Sequence, residues 1–235
     1  MEGVIQMPEE GVKYNTSTIA EMTNGIILAN FKKETSFRET GYQSEAELEN
    51  QMIENLLSQG YEELIVKSND DLYINLKKQI EKLNEVSFSD EEWNRFLIEY
   101  LDAPNDGMIE KTRKVQEDHV YDFIFDDGHL KNIKIIDKKN IHNNFLQVTN
   151  QVCGEGKNRN RYDVTILVNG LPLVHIELKK RGVNLHEAFN QIHRYSKESF
   201  NSENSLYKYV QIFVISNGTY TRYFANTTAQ NKNNY

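Results

Sequence analysis

The hydrophobic periodicity of the chain changes near residue 118, and this change limits the fold more than any other feature of the sequence. Before it, apolar residues recur every three to four positions, which is the spacing of helices that bury one face. After it, apolar and polar residues alternate in short runs that are typical of strands. Helices at both ends of a group of strands predict an α/β fold with a central mixed sheet flanked by helices.

The helices of the first half have clear starts. Ser44 with Glu47, and Ser89 with Glu92, have the spacing of a capping box, and Gly60 is expected to end the first helix. The predicted helices begin at Ser44, at about residue 71 (to 83), at Ser89 and at residue 108 (to 116), and a later one begins at Asn184 with Glu187. The predicted strands are 120–125, 130–136, 145–152, 162–168, 173–178, 210–215 and 220–224. We predict a single domain over residues 1–235, with a helical region at about 44–118 inserted before a strand-rich core at about 119–235.

The charge is unevenly distributed along the chain. The formal net charge is −8, yet residues 151–235 carry 11 Lys and Arg against 6 Asp and Glu. A basic final third is compatible with a surface that faces nucleic acid, although uneven surface charge is common. The single cysteine, Cys153, excludes an internal disulfide framework and agrees with a cytoplasmic location. The sequence has no apolar run of membrane-spanning length and no secretory signal at its start, so no membrane association is expected.

Asp163 on one predicted strand and Glu177-x-Lys179 on the next form the most informative group of residues. Two carboxylates can hold a hard divalent cation against a phosphodiester, where the cation polarises the phosphorus and activates a water molecule. The ammonium group of Lys179 can orient that water or offset negative charge in the transition state. Charged residues two apart on a strand are common, so this short pattern alone is weak evidence.

The pairing register decides whether these residues meet. A two-residue turn at Asn169-Gly170 between regular strands would pair Asp163 with Ile176 and point it away from Glu177. We therefore predict either a three-residue loop with Gly170 in the left-handed conformation or a β-bulge near Pro172.

Two stretches resemble the nuclease motif of type I restriction endonuclease large subunits, within the RecB-like PD-(D/E)xK superfamily. The first runs from Asn150 through Asp163 to Lys179, and the second is Gln191-x-x-x-Tyr195 on the following helix. The resemblance extends upstream to residues 44–60 and 89–93. It implies a restriction-endonuclease-like core and a metal-dependent deoxyribonuclease that acts in a restriction system against foreign DNA.

The resemblance also implies roles for individual residues. Asp163 and Glu177 would be metal ligands together with the Leu178 carbonyl, and Lys179 would be the catalytic lysine. Gln191 and Tyr195 would position DNA or that lysine. The family places an acidic residue of an early helix near the metal; Glu49 is our choice, with Glu45, Glu47 and Glu54 as alternatives. The expected phosphate contacts, for which a plain surface role is at least as plausible, are Arg159, Arg161, Lys180, Arg181 and Arg194.

The resemblance implies Mg²⁺ as cofactor, with Mn²⁺ as an alternative, and double-stranded DNA as substrate. It further implies methyltransferase and specificity subunits as partners, and ATP use only through helicase motor domains. No GxxxxGK[ST] phosphate loop occurs in this sequence, so those motor domains are expected to be absent. Two other interpretations remain: a non-catalytic module with the nuclease fold that docks DNA or subunits, and a repair or junction nuclease of the same superfamily.

Overall fold

The computed structural model describes residues 14–20, 28–33, 43–66, 68–153, 161–198, 200 and 205–226. The chain divides into two compact units, Met1–Tyr42 and Gln43–Tyr235. In the first unit, strand β1 (Tyr14–Ala20) pairs antiparallel with β2 (Leu28–Lys33). Every helix and strand that was predicted from the sequence lies in the second unit.

The first part of the second unit contains four α-helices between residues 45 and 116. They are α1 (Glu45–Ser58), α2 (Asn69–Asn84), α3 (Asp90–Phe96) and α4 (Met108–Gln116). Ser44, Ser68 and Ser89 each accept a hydrogen bond from the backbone three residues later, which satisfies an otherwise free N–H group of the first turn. A π-helix, Leu97–Leu101, continues α3. The four predicted helices are confirmed.

The central sheet has six strands in the part of the chain that the structure describes. They are β3 (Glu62–Glu63), β6 (Leu146–Cys153), β7 (Arg161–Val168), β8 (Leu171–Leu178), β9 (Ile212–Ser216) and β10 (Thr221–Ala225), in the order β10-β9-β8-β7-β6-β3. The β8–β9 and β3–β6 pairs are parallel and the others antiparallel. Helix α5 (Leu185–Glu198) connects β8 to β9. The hairpin of β4 (Val120–Ile124) and β5 (Leu130–Lys134) stands apart from this sheet. The predicted α/β class with a mixed sheet and flanking helices is confirmed.

The sheet lies between two hydrophobic clusters. Ile53 and Leu56 of α1 pack with Val148, Val164 and Ile176 of the sheet. A larger cluster contains the buried faces of α2, α3 and α5, the β4–β5 hairpin and several sheet residues. Helix α1 therefore covers one side of the sheet, and its buried face brings its acidic residues close to the strands. Among the described helices, none has the length and apolar content that crossing a membrane requires.

Candidate active site

A two-residue turn joins β7 to β8. Val168 pairs with Leu171, and both turn residues, Asn169 (φ 51°) and Gly170 (φ 82°), are in the left-handed region. An Asn-Gly pair suits this turn because each residue tolerates a positive φ. The Asn169 side chain is fully buried and donates to the Ile135 carbonyl at 2.9 Å, which anchors the turn. The three-residue loop predicted from the sequence is therefore wrong.

A β-bulge follows the turn on β8, as the second alternative predicted. Leu167 pairs with Pro172 and Ile166 with Val174, so Leu173 is the extra residue. The bulge shifts the pairing by one residue, and Val164 then lies opposite Ile176. One step further in this register places Asp163 opposite Glu177. The bulge therefore brings together the two acidic residues that a regular hairpin would separate.

Glu177 and Lys179 form a buried ion pair at the end of β8. Glu177 is fully buried, and its Oε1 accepts a hydrogen bond from Lys179 Nζ at 3.0 Å. The same ammonium group donates to the Leu178 carbonyl at 3.0 Å and lies 4.0 Å from Glu45 Oε2. Burial lowers the pKa of Lys179, but the negative charge of Glu177 and the acidic groups around it outweigh burial and raise it. Lys179 is thus held as a cation inside the site.

Asp163 completes the acidic pair. Its Oδ2 accepts a hydrogen bond from the backbone N–H of Leu178 at 2.8 Å. Burial, and then the neighbouring charge of Glu177, raise the pKa of Asp163 to about 7, and the charge of Glu49 acts in the same direction. Two such carboxylates repel each other unless a proton or a cation lies between them. The arrangement therefore favours the binding of a positive ion.

Glu49 reaches the site from α1. It is buried, and its two oxygens accept hydrogen bonds from Asn150 Nδ2 at 2.6 Å and from Gln151 Nε2 at 2.7 Å. Gln151 has a left-handed backbone (φ 53°) in the middle of β6. This unusual conformation occurs in the strand beside Asp163, where it lets consecutive residues both face α1.

The other N-terminal glutamates differ in their environment. Glu45 Oε1 accepts a hydrogen bond from the backbone N–H of Lys180 at 3.2 Å, so Glu45 also lies at the site. Glu47 is engaged in the helix cap with Ser44, and Glu54 is exposed. Of the four glutamates considered from the sequence, Glu45 and Glu49 are the two that contact residues of the candidate site or the strand beside it.

Gln191 and Tyr195 of α5 contact each other beside the same strands. Gln191 Nε2 donates to the Tyr195 hydroxyl at 2.5 Å, and that hydroxyl donates to the Arg161 carbonyl at 3.0 Å. Burial and the charge of Glu177 raise the pKa of Tyr195 to about 12, so the phenol is neutral at physiological pH. The ring of Tyr195 belongs to the core, whereas its hydroxyl faces the site.

The five basic residues expected at a phosphate surface have different positions. Arg161, Lys180 and Arg194 are exposed, and Arg181 is half-buried at the edge of a cleft. Arg159 lies outside the described residues.

His175 lies on β8 beside Glu177 and is not among the site residues predicted from the sequence. It is fully buried, and its Nε2 lies 3.4 Å from Glu177 Oε2. Neither ring nitrogen, nor that carboxylate oxygen, has a hydrogen-bond partner among the described residues. The two-residue spacing of His175, Glu177 and Lys179 is the signal that could have placed His175 on the same strand face.

The available atoms fit a hard divalent cation. Within the described ranges, no group of three or more His, Cys, Asp and Glu side chains is arranged to hold a metal ion. Asp163 and Glu177 nevertheless supply two carboxylates, and the unpartnered, buried Glu177 Oε2 is an atom that needs a positive partner. Carboxylate and carbonyl oxygens are the ligands of Mg²⁺ and Mn²⁺, which keep water in their remaining positions.

Comparison with known proteins gives a consistent result. The model of the family "Type I restriction enzyme R protein N terminus" matches residues 42–232. The EcoprrI type I restriction enzyme endonuclease subunit of Escherichia coli is 56% identical over 221 residues, which are 94% of this chain and 70% of that protein. An endonuclease subunit of a type I restriction enzyme from Staphylococcus aureus is 39% identical over 194 residues. That alignment covers 80% of this chain but 20% of the staphylococcal protein.

Proposed function

The chain belongs to the family of type I restriction enzyme R protein N termini, and on this basis we propose that it is a metal-dependent endonuclease domain acting on double-stranded DNA. The observation that carries the proposal is the convergence of Asp163 of β7, which is half-buried, with the buried Glu177 and Lys179 at the end of β8. Two carboxylates beside a fixed ammonium group support this proposal, because metal-assisted phosphodiester hydrolysis uses acidic ligands for the cation and a positive group near the phosphate.

The residues of the site would have two roles, metal binding and orientation of the attacking water. Asp163, Glu177 and the Leu178 carbonyl would hold Mg²⁺, or Mn²⁺ in its place. The bound ion would polarise the scissile phosphate and lower the pKa of the attacking water. Lys179 Nζ, fixed by Glu177 at 3.0 Å, would orient that water and offset charge that develops on the phosphate oxygens.

The residues around the site would act by holding the catalytic residues and the DNA in place. Glu49, held by two amide donors on β6, contributes a further negative charge beside Asp163. Gln191 keeps the Tyr195 hydroxyl against the start of β7, so this pair fixes the strand from which Asp163 projects. Arg159, Arg161, Lys180, Arg181 and Arg194 would contact DNA phosphates.

The names of the relatives support a role in a larger restriction complex. We propose that residues 1–235 work in the cytoplasm as the nuclease domain of a restriction-modification complex with methyltransferase and specificity subunits. ATP would be used only by helicase motor domains elsewhere in the assembly. The alignment with 20% of the staphylococcal relatives agrees with a nuclease domain that is one part of a larger subunit.

The experiment that tests the proposal is Mg²⁺-dependent nicking of supercoiled plasmid. Asp163→Ala and Lys179→Ala are expected to lower the nicking rate by about 100-fold or more, the scale seen when a group that stabilises the transition state is removed. Asp118→Ala and Lys139→Ala replace exposed residues of the same types and should leave the rate unchanged.

Two outcomes would contradict the assignment. One is nicking by Asp163→Ala and Lys179→Ala at the parent rate, with unchanged melting temperatures. If the parent chain does not nick alone, the same substitutions are compared in the complete complex; parental activity there would refute the site and favour a non-catalytic docking module.

A further inference from the structure

A cleft of about 880 Å³ lies between two segments that follow strands β8 and β9 of the sheet. One wall is the segment from Arg181 to His186, which starts two residues after Lys179. The other wall is the segment that joins β9 to β10 and continues to Arg222. The two walls are fixed to each other, because Asn217 Nδ2 donates to the Val183 carbonyl at 2.8 Å. The two segments therefore form one fixed cleft.

The charge of the lining is entirely positive. Arg181 and Arg222 line the cleft, and no Asp or Glu is among its lining residues. Arg222 is exposed and has no acidic partner among the described residues. In a chain with a net charge of −8, a surface with two arginines and no carboxylate is a local reversal of sign.

An exposed tyrosine adds to the polar surface of the cleft. Tyr220 is 68% exposed, and its backbone is tied down by a hydrogen bond from its N–H to Asn217 Oδ1 at 2.8 Å. Tyrosine hydroxyls and arginine guanidinium groups are both frequent donors to DNA phosphates. The combination suits a polyanionic backbone better than an apolar ligand.

We propose that this cleft binds the DNA backbone that flanks the scissile phosphate, with Arg222 and Tyr220 as phosphate contacts beside Arg181. The proposal rests on the proposed function and extends it to residues outside both nuclease motifs. The DNA backbone continues on both sides of the reacting phosphate, and the lining of the cleft starts at Arg181, two residues after Lys179. Arg222 thus positions the substrate and takes no part in the chemistry.

Binding is measured as the fluorescence anisotropy of a short labelled duplex with Mg²⁺, in a Lys179→Ala background that does not cleave. Arg222→Ala should weaken binding and reduce the slope of log K against log salt by about 0.9, the value for one lost phosphate contact. Arg222→Glu should weaken binding further. The control is Arg113→Ala, which removes an exposed arginine of α4, the helix that contacts the opposite end of β9 through Gln116 and Gln211.

Cleavage by the otherwise unchanged chain separates this inference from the proposed function. Arg222→Ala should raise the DNA concentration needed for half-maximal cleavage and leave the rate at saturating DNA unchanged. An affinity and salt slope in Arg222→Glu equal to those of Arg113→Ala would overturn the cleft assignment and leave the catalytic site standing. If the parent chain does not bind the duplex alone, the variants are compared in the complete complex, where equal affinities of Arg222→Glu and Arg113→Ala would overturn the cleft assignment.

Discussion

At the scale of single residues, the candidate site contains a buried carboxylate whose hydrogen bonds are incomplete among the described residues. Glu177 is fully buried, yet only one of its oxygens receives a hydrogen bond among the described residues. A buried carboxylate oxygen without a partner costs free energy that a folded protein normally avoids. Asp163 beside it carries a pKa of about 7 for the same reason, since burial and a second carboxylate disfavour its charge. A divalent cation would satisfy both residues.

Metal binding should therefore stabilise the chain through Glu177. At an Mg²⁺ concentration of 100 times the dissociation constant, a ligand that binds only the folded state adds about 2.7 kcal/mol to the free energy of unfolding. For a chain of this size that corresponds to a rise of about 5–10 °C in melting temperature. Glu177→Gln should abolish most of this rise, whereas Glu54→Gln, an exposed residue of α1, should retain it. An equal rise in Glu177→Gln and the parent would place the ion elsewhere.

The raised pKa of Asp163 predicts a pH dependence of stability without metal. Between its ordinary pKa of 3.8 and the folded value of about 7, the unfolded chain carries an ionised Asp163 and the folded chain a protonated one. The folded state then binds more protons, so the free energy of unfolding contributed by this group falls as pH rises from about 4 to about 7 and levels off above it.

Asp163→Asn tests this dependence. Urea unfolding in a chelator at pH 5 and pH 7 should show a larger loss of stability with rising pH in the parent than in the variant. Equal losses in the two proteins would mean that Asp163 ionises normally. Excess Mg²⁺ should weaken the dependence in the parent, because the ion holds the carboxylate in its charged form.

At the scale of elements, the β7–β8 hairpin determines whether the site exists. Its turn is packed tightly: a Cβ atom added at Gly170 would lie 2.7 Å from the Leu76 Cα of α2. The turn therefore joins the site strands to the helical region. The bulge at Leu173 then sets which residues of β8 face Asp163.

Glycine substitutions in two different hairpins separate the effect of backbone strain on stability from the effect of packing. Gly128 in the β4–β5 turn and Gly170 have similar φ values of 87° and 82°, but a Cβ at Gly128 meets nothing within 4 Å. Gly128→Ala should cost about 1–2 kcal/mol of stability from the left-handed backbone alone. Gly170→Ala should cost about 3 kcal/mol or more, because α2 must also move. Similar losses in chemical denaturation would show that the contact with Leu76 relaxes freely.

The same hairpin shows what the sequence could and could not predict. Apolar periodicity and serine caps were enough for the four helices, and the alternation of residues placed Glu177 and Lys179 on one strand face. The register required a choice between a loop and a bulge, which depends on how the strands pack rather than on local preference. His175 was missed because one histidine in an apolar strand is usually a core residue, and Arg222 because no motif includes it.

The short strand at residues 62–63 shows a second limit of prediction from the sequence. Glu62–Glu63 pairs with β6 although both residues are exposed and neither has a high strand preference. Its place at the sheet edge follows from α1, which ends just before it. The pairing of this strand with β6 depends on the tertiary arrangement and not on the local sequence.

At the scale of the whole molecule, everything that the proposed chemistry needs lies in the second unit. The six-stranded sheet, both hydrophobic clusters and the candidate site are built from residues 43–226. The family match also begins at residue 42. Helix α1 is part of this unit in two respects, since Ile53 and Leu56 cover one side of the sheet and Glu45 and Glu49 contribute to the site.

Truncation tests this division. A chain of residues 43–235 should fold cooperatively, keep a melting temperature close to that of the parent and show the same rise with Mg²⁺, because its buried clusters and site residues are retained. A chain of residues 61–235 should fail to fold, because the removal of α1 exposes Val148, Val164 and Ile176 to water. Circular dichroism melts with and without Mg²⁺ measure both. Unfolding of the 43–235 chain, or loss of its Mg²⁺ response, would mean that residues 1–42 are needed for the fold or for the metal site.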